Sequence, residues 1–294
     1  MTPTIGVFDS GFGGLTVLRA LLHRLPNARF AFLGDTARLP YGSKSRRTIA
    51  RYAVQSAQFL VNEQHAEFLV IACNTASALA LDAIQDSVPV PVLGVIQPGA
   101  HSAHAASRSG DVLVIATDAT VQSHAYAQAC RSLGLRALEK ACPLLVPLVE
   151  EGWTAHPVTE QVIRIYLDEL AADAAAQGLH PDALVLGCTH YPLLRPLLER
   201  LAPNGAAVID SAESTAEAAA RLFNAKSETG ALVAGGPLES PATGRESSAA
   251  WPREDSAQTE IRCFATDSVE KFERLGSRFL GRPVGKVELI DLGG

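Results

Sequence analysis

The 294-residue chain contains no C-x-x-C pair. Its five cysteines, at 73, 130, 142, 188 and 263, are odd in number and scattered. Neither a disulfide framework nor a zinc ribbon fits them, and a reducing cytoplasm is the expected compartment. No apolar run approaches the roughly 20 residues that span a bilayer, so no membrane association is expected. The first residues lack a basic segment followed by a long apolar one, so no signal peptide is expected either. The net charge of −6, with Lys44, Arg46 and Arg47 as the nearest thing to a basic cluster, argues against a nucleic-acid partner. Nucleotide fingerprints are missing too. Counting G-x-G-x-x-G from Gly11 ends on Thr16, and Gly285-Lys286 is followed by Val287 rather than Ser or Thr. With no recognisable Schiff-base lysine motif either, no cofactor is expected.

What is present is a core and a rhythm. Hydrophobic residues make up 47% of the chain and charged ones 19%, as in soluble globular proteins. Strand-like apolar runs at Ile5–Phe8, Phe30–Leu33, Phe68–Ala72, Val92–Ile96, Val112–Ala116, Ala183–Leu186 and Ala207–Ile209 alternate with amphipathic stretches. This alternation predicts an α/β fold, with parallel sheets covered by helices. Leu15, Leu18, Leu21, Leu22 and Leu25 recur at helical spacing, as do Val158, Val162, Tyr166 and Leu170. Near the end, Arg262–Thr266 reads as a strand and Ser268–Leu280 as a helix capped by Ser268 or Asp267.

The chain also repeats itself coarsely. Ile5–Ser10 matches Val112–Asp118 at an offset of 107 residues, and the segment around Cys73 matches that around Cys188 at an offset of 115. The prediction is two pseudo-symmetric α/β domains, residues 1–97 with 207–294 and residues 98–206, with the active site between them. Pro-rich Val88–Pro91 and Gln97-Pro98-Gly99 mark the crossing, and Pro203-Asn204-Gly205 the return. Residues 226–260, rich in Gly, Ser, Pro, Ala and Glu, read as a flexible surface insertion within the first domain.

The chemistry gathers where strands end. Leu69–Ile71 runs through Ala72 into Cys73-Asn74-Thr75, and Leu184–Leu186 through Gly187 into Cys188-Thr189-His190. In open α/β sheets ligands bind beyond the carboxyl ends of the strands. A lone cysteine there is more often packing than chemistry, but here two occur in matching contexts, each followed by hydrogen-bonding residues. Both should sit at helix N-termini, where the dipole lowers a thiol pKa. Cys130, Cys142 and Cys263 lack such a context and are assigned to packing. His190 beside a candidate thiol suits proton handling or substrate binding, since Cys-x-His alone supplies too few ligands for a metal. Asp9-Ser10-Gly11-Phe12-Gly13-Gly14 forms a tight turn suited to an anionic group. Gly34-Asp35-Thr36 and Pro40-Tyr41-Gly42 form a loop at the same sheet edge.

Four segments together resemble the signatures of the glutamate racemase family, a branch of the cofactor-independent aspartate/glutamate racemases. They are Asp9–Val17, Gly34–Gly42, Cys73–Ser77 and Gly187–Leu193, and Cys142–Glu150 matches as well. The resemblance implies Cys73 and Cys188 as the two proton-transfer residues, supported by Asp9, Glu150 and His190. It implies glutamate binding by Asp9, Ser10, Tyr41, Gly42, Asn74, Thr75, Thr120, Thr189 and His190. It further implies an isomerase that supplies D-glutamate for peptidoglycan in a bacterial cytoplasm, with a homodimer expected. Ala116 and Ala119 stand where the family usually carries glycine. The alternatives are a related two-cysteine racemase acting on aspartate or a hydantoin, and a two-lobed amino-acid binding protein, against which the paired thiols speak.

Overall fold

The computed structural model describes residues 3–229 and 259–293. The strands in chain order are β1 (Thr4–Asp9), β2 (Arg29–Gly34), β3 (Phe68–Ile71), β4 (Val92–Gly94), β5 (Asp111–Ala116), β6 (Arg136–Ala141), β7 (Ala183–Gly187), β8 (Ala207–Asp210), β9 (Ile261–Ala265) and β10 (Val287–Leu289). They build two sheets, ordered β10-β9-β2-β1-β3-β4 and β6-β5-β7-β8, with every pairing parallel. The order β2-β1-β3-β4 recurs as β6-β5-β7-β8, so the sequence repeat is a repeat of topology. In each unit the strand bearing a cysteine at its end, β3 or β7, pairs beside the central β1 or β5. The registers are equivalent, with Ile5 opposite Phe68 and Val112 opposite Ala183.

Central strands carry continuous apolar runs because helices cover both faces of each sheet. One apolar core includes Val7 and Phe32 of the first sheet together with Leu113 and Ile115 of the second. The helix Leu15–Arg24 buries Leu15, Leu18 and Leu21 and packs against the helix Ser211–Thr229. The helix Val269–Leu280 buries Phe272, Leu275 and Phe279. Each phenylalanine so buried contributes about 1.5–3 kcal/mol.

Several expectations need correction. Ala207–Asp210 stays in the second sheet as β8, although the proline-glycine break suggested a return to the first half at 207. The strand expected over Val92–Ile96 ends at Gly94, and Ile96 opens the helix Ile96–Ala106. On the helix Pro157–Ala176 the buried stripe is Thr159, Ile163, Leu167, Leu170 and Ala174, while Val158 is 42% exposed. Of the expected face, Leu170 is buried and Val162 and Tyr166 pack partly buried against the core, so only Val158 departs from it. Neither Ser268 nor Asp267 caps the last helix with its side chain; Ser268 adopts φ 51°, and Asp267 Oδ1 accepts from the Ser268 amide. The helix Ser211–Thr229 runs into the segment assigned to the insertion, and most of that segment, 230–258, lies outside the described residues.

Candidate active site

Cys73 follows β3 and forms the N-cap of the helix Asn74–Leu79, its Sγ accepting from the Ala76 amide at 3.4 Å. The thiol in turn donates to Ser10 Oγ at 3.4 Å. The capping place is as expected, but its electrostatic result is not. Burial, then the nearby Asp9 charge, push the Cys73 pKa up to about 12, outweighing the hydrogen bonds that would lower it. Cys73 is therefore held as a thiol.

Cys188 follows β7 and meets a different setting. No α-helix starts beside it: a 3-10 turn, Tyr191–Leu194, comes first, followed by the helix Arg195–Leu201. Its Sγ lies 3.9 Å from His190 Nδ1, and His190 Nε2 lies 3.2 Å from Glu150 Oε1 at the end of the helix Leu145–Glu150. Burial alone would lower the His190 pKa. The hydrogen bonds and negative charges of Cys188 and Glu150 instead raise it to about 10. Glu150 titrates below the usual carboxylate range: burial opposes this, but the His190 hydrogen bond and charge and the Lys271 ammonium, 3.9 Å away, prevail. Phe279 meets the His190 ring edge-on at 4.9 Å and Phe12 lies at 6.1 Å. One thiol thus faces a neutral hydroxyl and the other an imidazole–carboxylate pair.

Asp9 ends β1. Its Oδ2 accepts from the Gly11 amide at 3.0 Å, while Oδ1 is buried without a partner among the described residues. Burial raises its pKa, opposed by His190 and by the Gly14, Gly11 and Ser10 amides. The glycines after Asp9 give clearance between chain segments rather than a phosphate cradle. A Cβ on Gly13 would stand 2.6 Å from the His190 ring and collide with Thr189 Oγ1, and one on Gly14 would stand 2.5 Å from Asp9 Cβ.

These residues line one cavity of about 290 Å³ between the two sheets. Asp9, Ser10, Tyr41, Gly42, Cys73, Asn74 and Thr75 come from one side, and Glu150, Cys188, Thr189 and His190 from the other. Thr120 does not reach the wall. It is fully buried behind it, within hydrogen-bond distance of Thr117 Oγ1 (3.0 Å) and Thr75 Oγ1 (3.4 Å). The Tyr41 hydroxyl donates to Asp35 Oδ2 at 2.5 Å, so Tyr41 and Gly42 present ring and backbone to the cavity. Sequence reasoning missed Thr117, which lines the cavity 3.1 Å from Thr75 Oγ1, and the apolar wall of Pro143, Val146 and Pro147. The pseudo-symmetry that pairs the end of β1 with the end of β5 could have pointed to Thr117.

Among the described residues, no Lys or Arg lines the cavity. An anion there would meet hydroxyl and amide donors from Ser10, Asn74, Thr75, Thr117 and Thr189. Among the described residues, no group of three or more His, Cys, Asp or Glu could hold a metal ion, and no helix is long and apolar enough to cross a membrane.

Two parallel-sheet units facing each other across a small cavity with a cysteine on either side make this a two-lobed α/β protein with its candidate site in the cleft. Residues 11–219 match the Asp/Glu/Hydantoin racemase family, and the chain belongs to it as an amino-acid racemase. Within it, the similarity is to glutamate racemases. The chain is 54% identical to that of Koribacter versatilis, covering 99% of this chain and 98% of that one. The solved glutamate racemase of Thermus thermophilus, in complex with β-chloro-D-alanine, superposes with a TM-score of 0.78 at 39% identity, covering 99% and 98% of the two chains. That of Francisella tularensis, in complex with D-glutamate, gives 0.79 at 32% identity with the same coverage.

Proposed function

We propose that the protein interconverts L- and D-glutamate by proton transfer at Cα, with Cys73 and Cys188 acting on opposite faces of one bound substrate. The observation that carries this reading is the placement of both thiols on one cavity, each followed by a pair of hydrogen-bonding residues. For L-glutamate, Cys188 as thiolate takes the α-proton: the Cα–H bond breaks, an S–H bond forms, and the electron pair stays on Cα and its carboxylate. Cys73, held as a thiol, then gives its proton to the other face and becomes the thiolate. The reverse reaction begins from that state. His190, backed by Glu150, exchanges protons on the Cys188 side, and Asp9 lies on the Cys73 side. Donors from Ser10, Asn74, Thr75 and Thr189 hold the carboxylates and stabilise the developing carbanion. With Thr120 behind the wall, its part in binding is to orient Thr75 and Thr117.

The domains are read as 1–97 with 211–294 and 98–210, the second crossing lying past β8 rather than at 207. The D-glutamate product would supply peptidoglycan synthesis in a bacterial cytoplasm, and a second copy of the chain remains the expected partner. The test is to incubate pure L-glutamate with enzyme in deuterated water and follow optical rotation and Cα deuteration together. Decay of rotation with deuterium entering at Cα is expected. Unchanged rotation would mean a binding protein, and turnover of aspartate or a hydantoin in place of glutamate would reassign the substrate.

A further inference from the structure

Asn74 and Tyr126 are joined across the two halves. Asn74 directly follows Cys73, and Tyr126 lies on the helix Ala125–Ser132 beside the second sheet. The Tyr126 hydroxyl donates to Asn74 Oδ1 at 2.7 Å, with the two residues 0% and 3% exposed. Burial pushes the phenol well above its ordinary range, so its oxygen keeps the proton it donates. A side-chain amide has one accepting end and one donating end. With Oδ1 turned to Tyr126, Asn74 Nδ2 remains a buried donor without a partner among the described residues, on a residue that lines the cavity. The reversed amide would present an oxygen to an incoming carboxylate and repel it.

The ring of Tyr126 is fixed as tightly as its hydroxyl. A Cβ on Gly99 would lie 3.1 Å from Cε1, and one on Gly187 would lie 3.0 Å from Cε2. Gly187 is the last residue of β7 and directly precedes Cys188. The same side chain therefore touches the strand leading into one cysteine and the amide that follows the other.

We propose that Tyr126 is a positioning residue that locks the Asn74 amide with its NH2 end facing the cavity, as the donor to a substrate carboxylate, in register with the strand carrying Cys188. This rests on the glutamate reading for the identity of that substrate. Wild-type turnover of glutamate is measured first and tests that reading by itself. A double-mutant cycle of Tyr126→Phe with Asn74→Ala then tests Tyr126. Tyr126→Phe keeps the ring, and it should raise the KM for glutamate about 5- to 10-fold, the effect of one lost hydrogen bond, while changing kcat less. In the Asn74→Ala background the same substitution should change KM less than about 2-fold. An equal rise in both backgrounds, or no rise in KM at all, overturns the proposal. If Tyr126→Phe does not fold, Asn74→Asp provides the second measurement. Tyr126 would hold one carboxylate oxygen, and the other would face the substrate, so KM should rise above that of Asn74→Ala; an equal or lower KM overturns the proposal. In the ligand-free protein, exchange of the Asn74 side-chain amide protons should quicken about 10-fold in Tyr126→Phe, whatever the substrate proves to be. An unchanged rate counts against the lock.

Discussion

The Thr16 hydroxyl donates to the backbone carbonyl of Thr189 at 3.1 Å, across 173 residues of sequence. It also reaches the Gly13 carbonyl at 3.0 Å, so one side chain fastens the turn after β1 to the segment after Cys188. A counterpart exists on the other side. Thr75, two residues after Cys73, is within hydrogen-bond distance of Thr117 and Thr120 after β5. Each cysteine is thus followed by residues held from the opposite half. The cavity geometry depends on how the halves meet, and substitutions at the seam should act on turnover more than on folding.

Gly13→Ala is the sharpest case. The added methyl would fall on Thr189 Oγ1 and the His190 ring. His190 must then move relative to Cys188 and Glu150. Turnover should drop about 100-fold, as misplacements near 1 Å cost, with little change in far-UV circular dichroism. Near-wild-type kcat/KM would mean that the His190 position is not critical.

His190 should also make stability depend on pH. Its folded pKa is about 10 against 6.5 in the free side chain, so folding favours its proton. The stability it contributes is complete below pH 6.5 and fades as pH rises towards 10. Denaturant midpoints of wild type and His190→Gln should therefore lie well apart at pH 6 and converge by pH 10. A gap that stays constant or widens with pH contradicts the assigned charge.

Asp9 should show the opposite balance between stability and function. Its carboxylate is buried with Oδ1 unpaired among the described residues, and burial raises its pKa. Asp9→Asn keeps an acceptor for the Gly11 amide and removes an ionisable group that burial disfavours in its charged form, so the thermal midpoint at pH 7 should rise. Turnover should fall, because a titratable group has left the Cys73 side of the cavity. Differential scanning calorimetry beside a racemisation assay reads both, and a lower midpoint with full activity goes against the idea.

How far the sequence disclosed all this follows from which residues carry an apolar signal. β1, β3, β5 and β7 are buried on both faces and read directly as apolar runs, which located both cysteines, Asp9 and His190. β6 went unseen because Arg136–Ala141 is half-buried and its charges are met by neighbours: Arg136 by Asp111, Glu139 by His124 and Lys140 by Glu169. β10 is three residues at a sheet edge, too short for a pattern to register. Within the site, residue type and spacing exposed the strand ends. They could not reveal that burial holds Cys73 protonated, or that Tyr126 reaches Asn74 from 52 residues away. Those are properties of packing between halves, to which local pattern is blind.

The two thiols should prove separable. Each turnover needs one base and one acid, so Cys73→Ala and Cys188→Ala should each abolish racemisation. Cys→Ser should be badly impaired too, since a hydroxyl is rarely ionised near neutral pH. A serine mutant that keeps one thiol can still remove the α-proton of one enantiomer. With a substrate analogue carrying a good β-leaving group, the electron pair left on Cα then expels that group, and elimination replaces inversion. Cys188 is assigned to the L-proton, so Cys73→Ser should eliminate from the L-analogue. Cys188→Ser retains Cys73, assigned to the D-proton, and should eliminate from the D-analogue. Burial holds Cys73 as a thiol with a pKa near 12, so the D-directed reaction should be slower at pH 7 and gain more as pH rises. Offering both enantiomers to both mutants and measuring the released leaving group decides the matter. Opposite preferences are expected; the same preference in both mutants, or full racemisation by either, would sink the two-base mechanism.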